Sequence, residues 1–370
     1  MSLFDYILLG LALLYLAELI FLRLGLEKTR RYRTSPQYEP RVSVVVAARN
    51  EEQNIASCLD SLLRSDYPAG KCEIIVVDDR STDRTGAIVR DYLERDKRVK
   101  LVVSQPAVGG LRGKANALSQ GIEESTGEIL LFTDADCVVL PSWIRKTVSY
   151  YDEGIGVVAG FTLLTADRPF EGMQAIDWFL LFGVAASTAA WNIPLTGVGN
   201  NLSVRRSAYE AVGGYRSLPF SVTEDYTLVQ AIWQTTRLQI RYPVDPETLV
   251  RSKPCTNWRE LFRQRQRWSV GGLDMVLRGM LLMSVSFALH LGILISAVLS
   301  PLPVLAATVV TKFAGDLIFL WGPISTFKQY RLLKHFPLFE CYYTFYGLTI
   351  SFLALLSKKV VWKERAFRGD

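Results

Sequence analysis

Three short strings carry the side chains that could do chemistry: Asp134-Ala135-Asp136, Thr223-Glu224-Asp225 and Gln264-Arg265-Gln266-Arg267-Trp268. Asp134 and Asp136 stand two apart, so extended backbone would turn both carboxylates to one side. Carboxylates so placed repel each other unless a cation or hydroxyl donors come between them. A hard divalent ion is one such partner, taking one or two carboxylates and completing its shell from phosphates and water. Asp225 can act as a general base toward a hydroxyl. Thr223 is placed to cap a helix over residues 225–234, whose dipole Glu224 and Asp225 favour. Gln264, Arg267 and Trp268 share a helical face through their i, i+3 and i+4 spacing. Arg267 can grip an oxyanion through paired N–H groups, and Trp268 offers a flat apolar face. The same string also reads as a basic interfacial helix with an anchoring tryptophan.

These side chains need a frame. Residues 42–48 form a valine-rich apolar run that predicts a buried parallel strand. Further strands are expected at 73–77, 99–103 and 129–133, with helices over 50–63, 81–95, 114–124 and 205–212. Such alternation predicts an open, mainly parallel sheet that binds ligands beyond the carboxyl ends of its strands. Asp78-Asp79 and Asp134-Ala135-Asp136 both fall at those ends. A carboxylate there can accept from a nucleobase N–H or from ribose hydroxyls, and Ser81 or Thr82 can cap the following helix. The glycine-rich residues 109–114 lack the spacing of a phosphate-binding P-loop.

Of the 370 residues 49% are hydrophobic and 21% charged, with a net charge of +6. The apolar excess is localised at 3–24, 281–300, 304–322 and 338–357, each long enough for a bilayer-spanning helix of roughly 20 residues. The first run lacks a small-residue cleavage site and is followed by Lys28, Arg30, Arg31 and Arg33. A retained anchor with cytoplasmic chain downstream is therefore expected. Residues 170–193 are apolar but broken by Glu171, Asp177 and Asn192, and read as a helix against the domain or the membrane interface. Lys312 and Asp316, four apart within an apolar run, can pair. Three crossings after the anchor would leave the basic residues 358–368 outside, so one segment is expected to be re-entrant or interfacial. Five cysteines without paired spacing, and only His290 and His335, argue against a zinc site or a Ser-His triad. The basic clusters carry no nucleic-acid motif, and nucleic acid is not an expected partner.

Taken in order, these motifs resemble those of membrane-anchored family 2 glycosyltransferases. That group includes cellulose, chitin and hyaluronan synthases, bacterial poly-N-acetylglucosamine synthases and ceramide glucosyltransferases. The resemblance covers residues 42–268. It implies an α/β GT-A domain, Rossmann-like with a mainly parallel sheet, flanked by N-terminal and C-terminal transmembrane helices. The implied division is an anchor at 1–26, a linker at 27–40, a catalytic domain with interfacial helices at 41–270, and a membrane region with basic tail at 271–370.

The resemblance also implies roles. Ala47, Arg49 and Glu51 would close the first nucleotide-contacting strand, and Asp79, with Asp78 beside it, would meet base and ribose. Lys114 and Asn116 would lie near the donor, Asp134 would contact ribose or donor sugar, and Asp136 would hold Mn2+ or Mg2+. Asp225 would be the catalytic base, Gln264 and Arg267 would hold the diphosphate, and Trp268, Glu224 and Asn200 would face the acceptor. The implied reaction is inverting transfer from a nucleotide-sugar donor, UDP-linked, to a hydroxyl of a lipid-like or glycan acceptor. The implied setting is a bacterial inner membrane, with membrane lipids as partners and the catalytic domain in the cytoplasm; protein partners are not indicated. A processive polysaccharide synthase is the alternative, although such enzymes often have more membrane helices. A membrane-anchored pseudo-transferase scaffold would show loss of Asp136, Asp225 or Arg267, and all three are present.

Overall fold

A computed structural model of the chain describes residues 1–107, 110–272, 277–356, 359–362 and 365–368. Gly109 of the glycine-rich loop, and Ser357 and Lys358 where the last apolar run meets the basic tail, lie outside the described residues. The chain opens with helix α1 (Leu3–Thr29), followed by β1 (Val42–Ala48), α2 (Ile55–Leu63), β2 (Cys72–Asp78), α3 (Thr85–Arg95) and β3 (Val99–Val103). Next come α4 (Gly113–Glu123), β4 (Ile129–Phe132), β5 (Val138–Val139), α5 (Trp143–Ser149), β6 (Ile155–Ala159) and β7 (Thr162–Leu164). The long helix α6 (Pro169–Ala190) precedes β8 (Leu202–Arg205), α7 (Arg206–Ala211), α8 (Gly214–Ser217), α9 (Glu224–Thr235), β9 (Gln239–Arg241) and β10 (Val250–Ser252). The chain continues through α10 (Trp258–Gly272), α11 (Leu277–Leu299), α12 (Leu302–Thr326) and α13 (Phe336–Leu356), then strands β11 (Lys359–Trp362) and β12 (Arg365–Arg368). Two compact units result: residues 29–165 with 189–253, and residues 1–28 with 166–188 and 254–370.

The first unit is built on a seven-stranded sheet of order β3-β2-β1-β4-β8-β6-β9. Strands β3, β2, β1 and β4 run parallel, and Ala48 pairs with Asp78, which in turn pairs with Val103. The largely apolar sequences of β1, β2 and β4 follow from burial on both faces. Arg49, Asp79, Ser104 and Thr133 thus leave the sheet along one edge. Strand β8 is antiparallel to β4, with Leu202 opposite Phe132. An antiparallel strand enters at the edge its neighbours leave, which brings residues 197–201 to the same place.

Helix starts differ from the sequence expectation, and α2 begins at Ile55, not at residue 50. Helix α3 begins at Thr85 because the Asp83 carboxylate accepts from both Thr85 N and Thr85 Oγ1, at 2.9 and 2.6 Å. Ser81 and Thr82 do not cap it; the Ser81 N–H donates to Asp78 Oδ1 at 2.9 Å. Thr223 does stand at the N-cap position of α9, but its side chain makes no capping bond there.

The second unit holds the long apolar helices. Among the described residues four are long and apolar enough to cross a membrane: α1, α6, and the stretches Gly279–Leu299 and Leu302–Thr326. In α1 the buried residues Leu8, Ala12, Tyr15, Leu19, Leu22 and Leu26 recur at intervals of three and four, while Leu13, Leu14 and Phe21 stay exposed. This seam packs on α12, where a Cβ on Gly315 would come within 3.0 Å of Leu19; small residues are what allow such close approach. Lys312 pairs with Asp316 at 3.0 Å, as its spacing predicts, and also with Glu340 of α13. Tyr15 of α1 donates to Asp316 at 2.6 Å. Lys312, Asp316 and Glu340 are all buried. Tyr15→Phe removes one donor from a buried carboxylate, and should lower stability by about 1–3 kcal/mol, read as a fall in the thermal midpoint of the detergent-solubilised protein.

Candidate active site

At the carboxyl edge of the first unit's sheet, neighbouring loops are laced together. Arg49 donates to the Asp79 carbonyl at 2.8 Å and lies 4.0 Å from its carboxylate. The Asn50 N–H donates to Ser81 Oγ, while Asn50 Oδ1 accepts from the Thr82 N–H. Asn50 and Arg80, with φ of 53° and 55°, both adopt the left-handed conformation, which non-glycine residues rarely hold outside constrained sites. The two aspartates are not equivalent. Asp78 closes its own turn through Ser81, whereas Asp79 is 2% exposed, accepts from Ser104 Oγ at 2.7 Å and faces Arg80 at 3.6 Å. Ala47 is part-exposed at the end of β1, and Glu51 receives the Asn54 amide at 2.8 Å.

Asp134 and Asp136 follow β4, but on a turn and not in extended backbone. The Cys137 N–H donates to the Asp134 carbonyl at 3.0 Å. Both carboxylates remain part-exposed while Ala135 and Cys137 are buried, so the pair still opens toward one edge. Lys114, at the start of α4, lies 2.5 Å from Asp134 and 3.5 Å from Glu224. Among the described residues no three His, Cys, Asp or Glu side chains come together as a metal cage. That donor set fits a divalent ion that takes one carboxylate from the protein and the rest of its shell from phosphate and water. Asp134 is paired with Lys114, and Asp136 Oδ1 accepts from the Cys137 thiol at 3.5 Å.

Asp225 sits in the first turn of α9 with both carboxyl oxygens held. Its Oδ2 accepts from the Gly199 N–H and its Oδ1 from the Tyr226 N–H. A Cβ on Gly199 would stand 3.1 Å from that Oδ2 and 3.4 Å from Lys114 Nζ, so glycine is what lets this backbone reach the carboxylate. Burial, and then the Glu224 charge, push the Asp225 pKa up to about 7; Lys114 and the two N–H groups act the other way. Burial opposes the charge on Lys114, yet Asp134, Glu224 and Asp225 together hold its pKa above the ordinary lysine value. One ammonium thus faces three carboxylates, one of which titrates near neutrality. A small recess borders Glu224, walled in part by Leu111, Tyr215, Leu218 and Phe220.

Asn116 and Asn200 both hydrogen-bond within the first unit. Asn116 donates to the Gln105 carbonyl and accepts from Gln120, at 3.1 and 3.2 Å. Asn200 accepts from Thr162 Oγ1 at 2.9 Å. Gln264, Arg267 and Trp268 lie on α10, in the second unit. There the Gln264 Oε1 is buried and has no hydrogen-bond partner among the described residues.

Residues 43–226 match the domain described as Glycosyl transferase family 2. The chain belongs to that family. It is 31% identical over 262 residues to a probable glycosyltransferase, YdaM, of Bacillus subtilis, covering 67% of this chain and 59% of that one. It is 29% identical over 245 residues to a beta-monoglucosyldiacylglycerol synthase of Synechocystis, covering 63% and 48%. This family 2 member therefore spans between 48% and 59% of the length of these relatives. A mannosyltransferase from Pyrobaculum calidifontis, solved with GDP-Man and Mn2+, shares the fold at a TM-score of 0.56 and 21% identity, over 90% of this chain and 98% of that one. The fold of this family 2 glycosyltransferase is GT-A, as the resemblance implied, with a mainly parallel sheet and apolar helices toward both ends of the chain.

Arg265 and Asp177 escaped the sequence analysis. Arg265 is 2% exposed and its Nη2 lies 2.5 Å from Asp177 Oδ2. The available signal was an acid in one apolar run and a surplus arginine in a basic one, each unexplained without the other.

Proposed function

We propose that the chain transfers a sugar, with inversion at the anomeric carbon, from a UDP-linked donor to a hydroxyl of a lipid-like acceptor at the membrane. The setting of Asp225 carries this reading: a carboxyl near neutrality, fixed by two backbone N–H groups and beside Lys114. Asp225 takes the proton of the acceptor hydroxyl as its oxygen attacks the anomeric carbon and the nucleoside diphosphate departs. Lys114 is placed to favour the ionised base. Asp79 takes the base and ribose, with Ala47, Arg49 and Glu51 closing that end, and Asp134 takes ribose or donor sugar. Gln264 and Arg267 receive the diphosphate, and Trp268, with Glu224, the acceptor. A divalent ion, Mn2+ or Mg2+, held by Asp136, would offset charge on the leaving diphosphate. The Synechocystis relative's name, a diacylglycerol glycoside synthase, supports a lipid acceptor. The proposed location is a bacterial inner membrane with the sheet-containing unit in the cytoplasm. Lys28 in the last turn of α1, with Arg30, Arg31 and Arg33 after it, supports it, as do cysteines that form no disulfide.

Calorimetric titration of UDP, with GDP alongside, into the detergent-purified chain tests the donor assignment. UDP binding that requires Mn2+ or Mg2+ is expected; no UDP binding with either metal would overturn it. Long products made from donor alone would replace single transfer with the processive alternative.

The same carboxyl sets a pH dependence. Asp225 must be ionised to act, so kcat/KM should rise with pH through about 7, because that ratio reports the free enzyme. Lys114→Met removes a cation that lowers this pKa, and should carry the acid limb to higher pH. Stability runs the opposite way: the folded state holds this proton more tightly, so the group's contribution is lost as pH rises from 3.8 to about 7.

A further inference from the structure

We infer that Arg265 is a positioning residue that sets the plane of the Trp268 indole. The inference rests on the acceptor role proposed for Trp268. Arg265 is enclosed by three helices of one unit. Its Nη2 lies 2.5 Å from Asp177 Oδ2 on α6, and its Nε donates to Tyr342 Oη on α13 at 3.2 Å. That hydroxyl donates in turn to Asp177 Oδ2 at 3.4 Å. With its edge held in this way, the guanidinium carbon stands 4.3 Å from the centre of the Trp268 ring. Trp178 meets the same indole with ring centres 5.7 Å apart. The indole is therefore fixed by two neighbours while Trp268 stays part-exposed.

A purely structural account explains the pair poorly. A buried arginine and aspartate can often be replaced by apolar residues without loss of stability. Apolar residues could not hold a planar cation against an indole. A lysine would keep the charge, but its compact, strongly hydrated ammonium cannot reproduce the stack. The geometry thus favours a role in which the orientation of Trp268 matters.

Full-length protein in detergent, labelled with 5-fluorotryptophan, gives the readout, with the Trp268 signal identified by its loss in Trp268→Phe. Arg265→Lys is expected to move or split that signal. Transfer from UDP-glucose to dioleoylglycerol should fall on the order of 10- to 100-fold through the acceptor KM, as for a misplaced substrate contact. UDP affinity with Mn2+ should stay within about twofold of wild type, since donor contacts are untouched. Tyr342→Phe removes only the hydroxyl that joins the two charges. It should give the same pattern at smaller size, and it covers the case in which Arg265→Lys does not fold. A Trp268 signal unmoved by both variants overturns the inference, as does a loss of UDP affinity as large as the loss of transfer. The fluorine signal needs no substrate. A wild-type protein that transfers nothing therefore counts against the proposed reaction, while the signal alone decides the positioning role.

Discussion

Asp225→Asn is expected to lower kcat by about 10²- to 10⁴-fold, the usual contribution of a positioned general base, while UDP binding with metal stays nearly unchanged. The asymmetry follows from where the carboxylate is anchored. Both of its oxygens accept from backbone N–H groups, of Gly199 and Tyr226, and none of these contacts belongs to the proposed donor subsite. The amide keeps the shape and loses the base. It also turns an NH2 group toward one of two N–H donors, and a donor facing a donor should cost about 1–3 kcal/mol. A lower thermal midpoint should therefore accompany the lost turnover. Single-turnover kinetics beside UDP calorimetry would separate the effects. Retained transfer in a folded Asp225→Asn protein would sink the assignment of the base.

Asp136→Ala is expected to act on the other half of the reaction. Asp134 pairs with Lys114 at 2.5 Å, while the proposed function gives the cation to Asp136. Its removal should reduce UDP affinity in Mn2+ to the value seen with chelator, a loss on the order of 10- to 100-fold if metal affinity falls as it does when a site's supporting groups are removed. Asp134→Ala should look different, because it releases Lys114 toward Glu224 and shifts the pH profile. If Asp136→Ala and Asp225→Asn weakened UDP binding equally, the division into donor-holding and proton-removing carboxylates would fall.

How much of this was legible in the sequence depends on the range over which each feature is decided. Strands β1, β2 and β4 announced themselves because a parallel strand buried on both faces is a largely apolar run, and the ends of β2 and β4 located Asp79 and Asp134. Strands β6, β8 and β9 hold three to five residues each, and their pairing depends on distant partners. The Gly199 contact to Asp225 depends on β8 entering the sheet antiparallel. The hydrogen bonds of the Asn116 and Asn200 amides depend on tertiary neighbours that their motifs do not name. The two motif aspartates were expected on extended backbone and sit on a turn. Arg265 was passed over because its partner lies 88 residues earlier in the chain, in a helix whose acid looked like an interruption.

The bond between Tyr15 and Asp316 joins residues 301 positions apart. At a synthesis rate of roughly 5–20 residues per second, α1 would leave the ribosome about 15 to 60 seconds before its partner. During that interval its seam of small and apolar residues, and one tyrosine hydroxyl, must wait without the helix they fit. An unrelated apolar helix in place of α1 would insert as readily and still leave Asp316 short of its hydroxyl. Swapping the leading helix is therefore a change to the assembly of the membrane bundle, not to its tether.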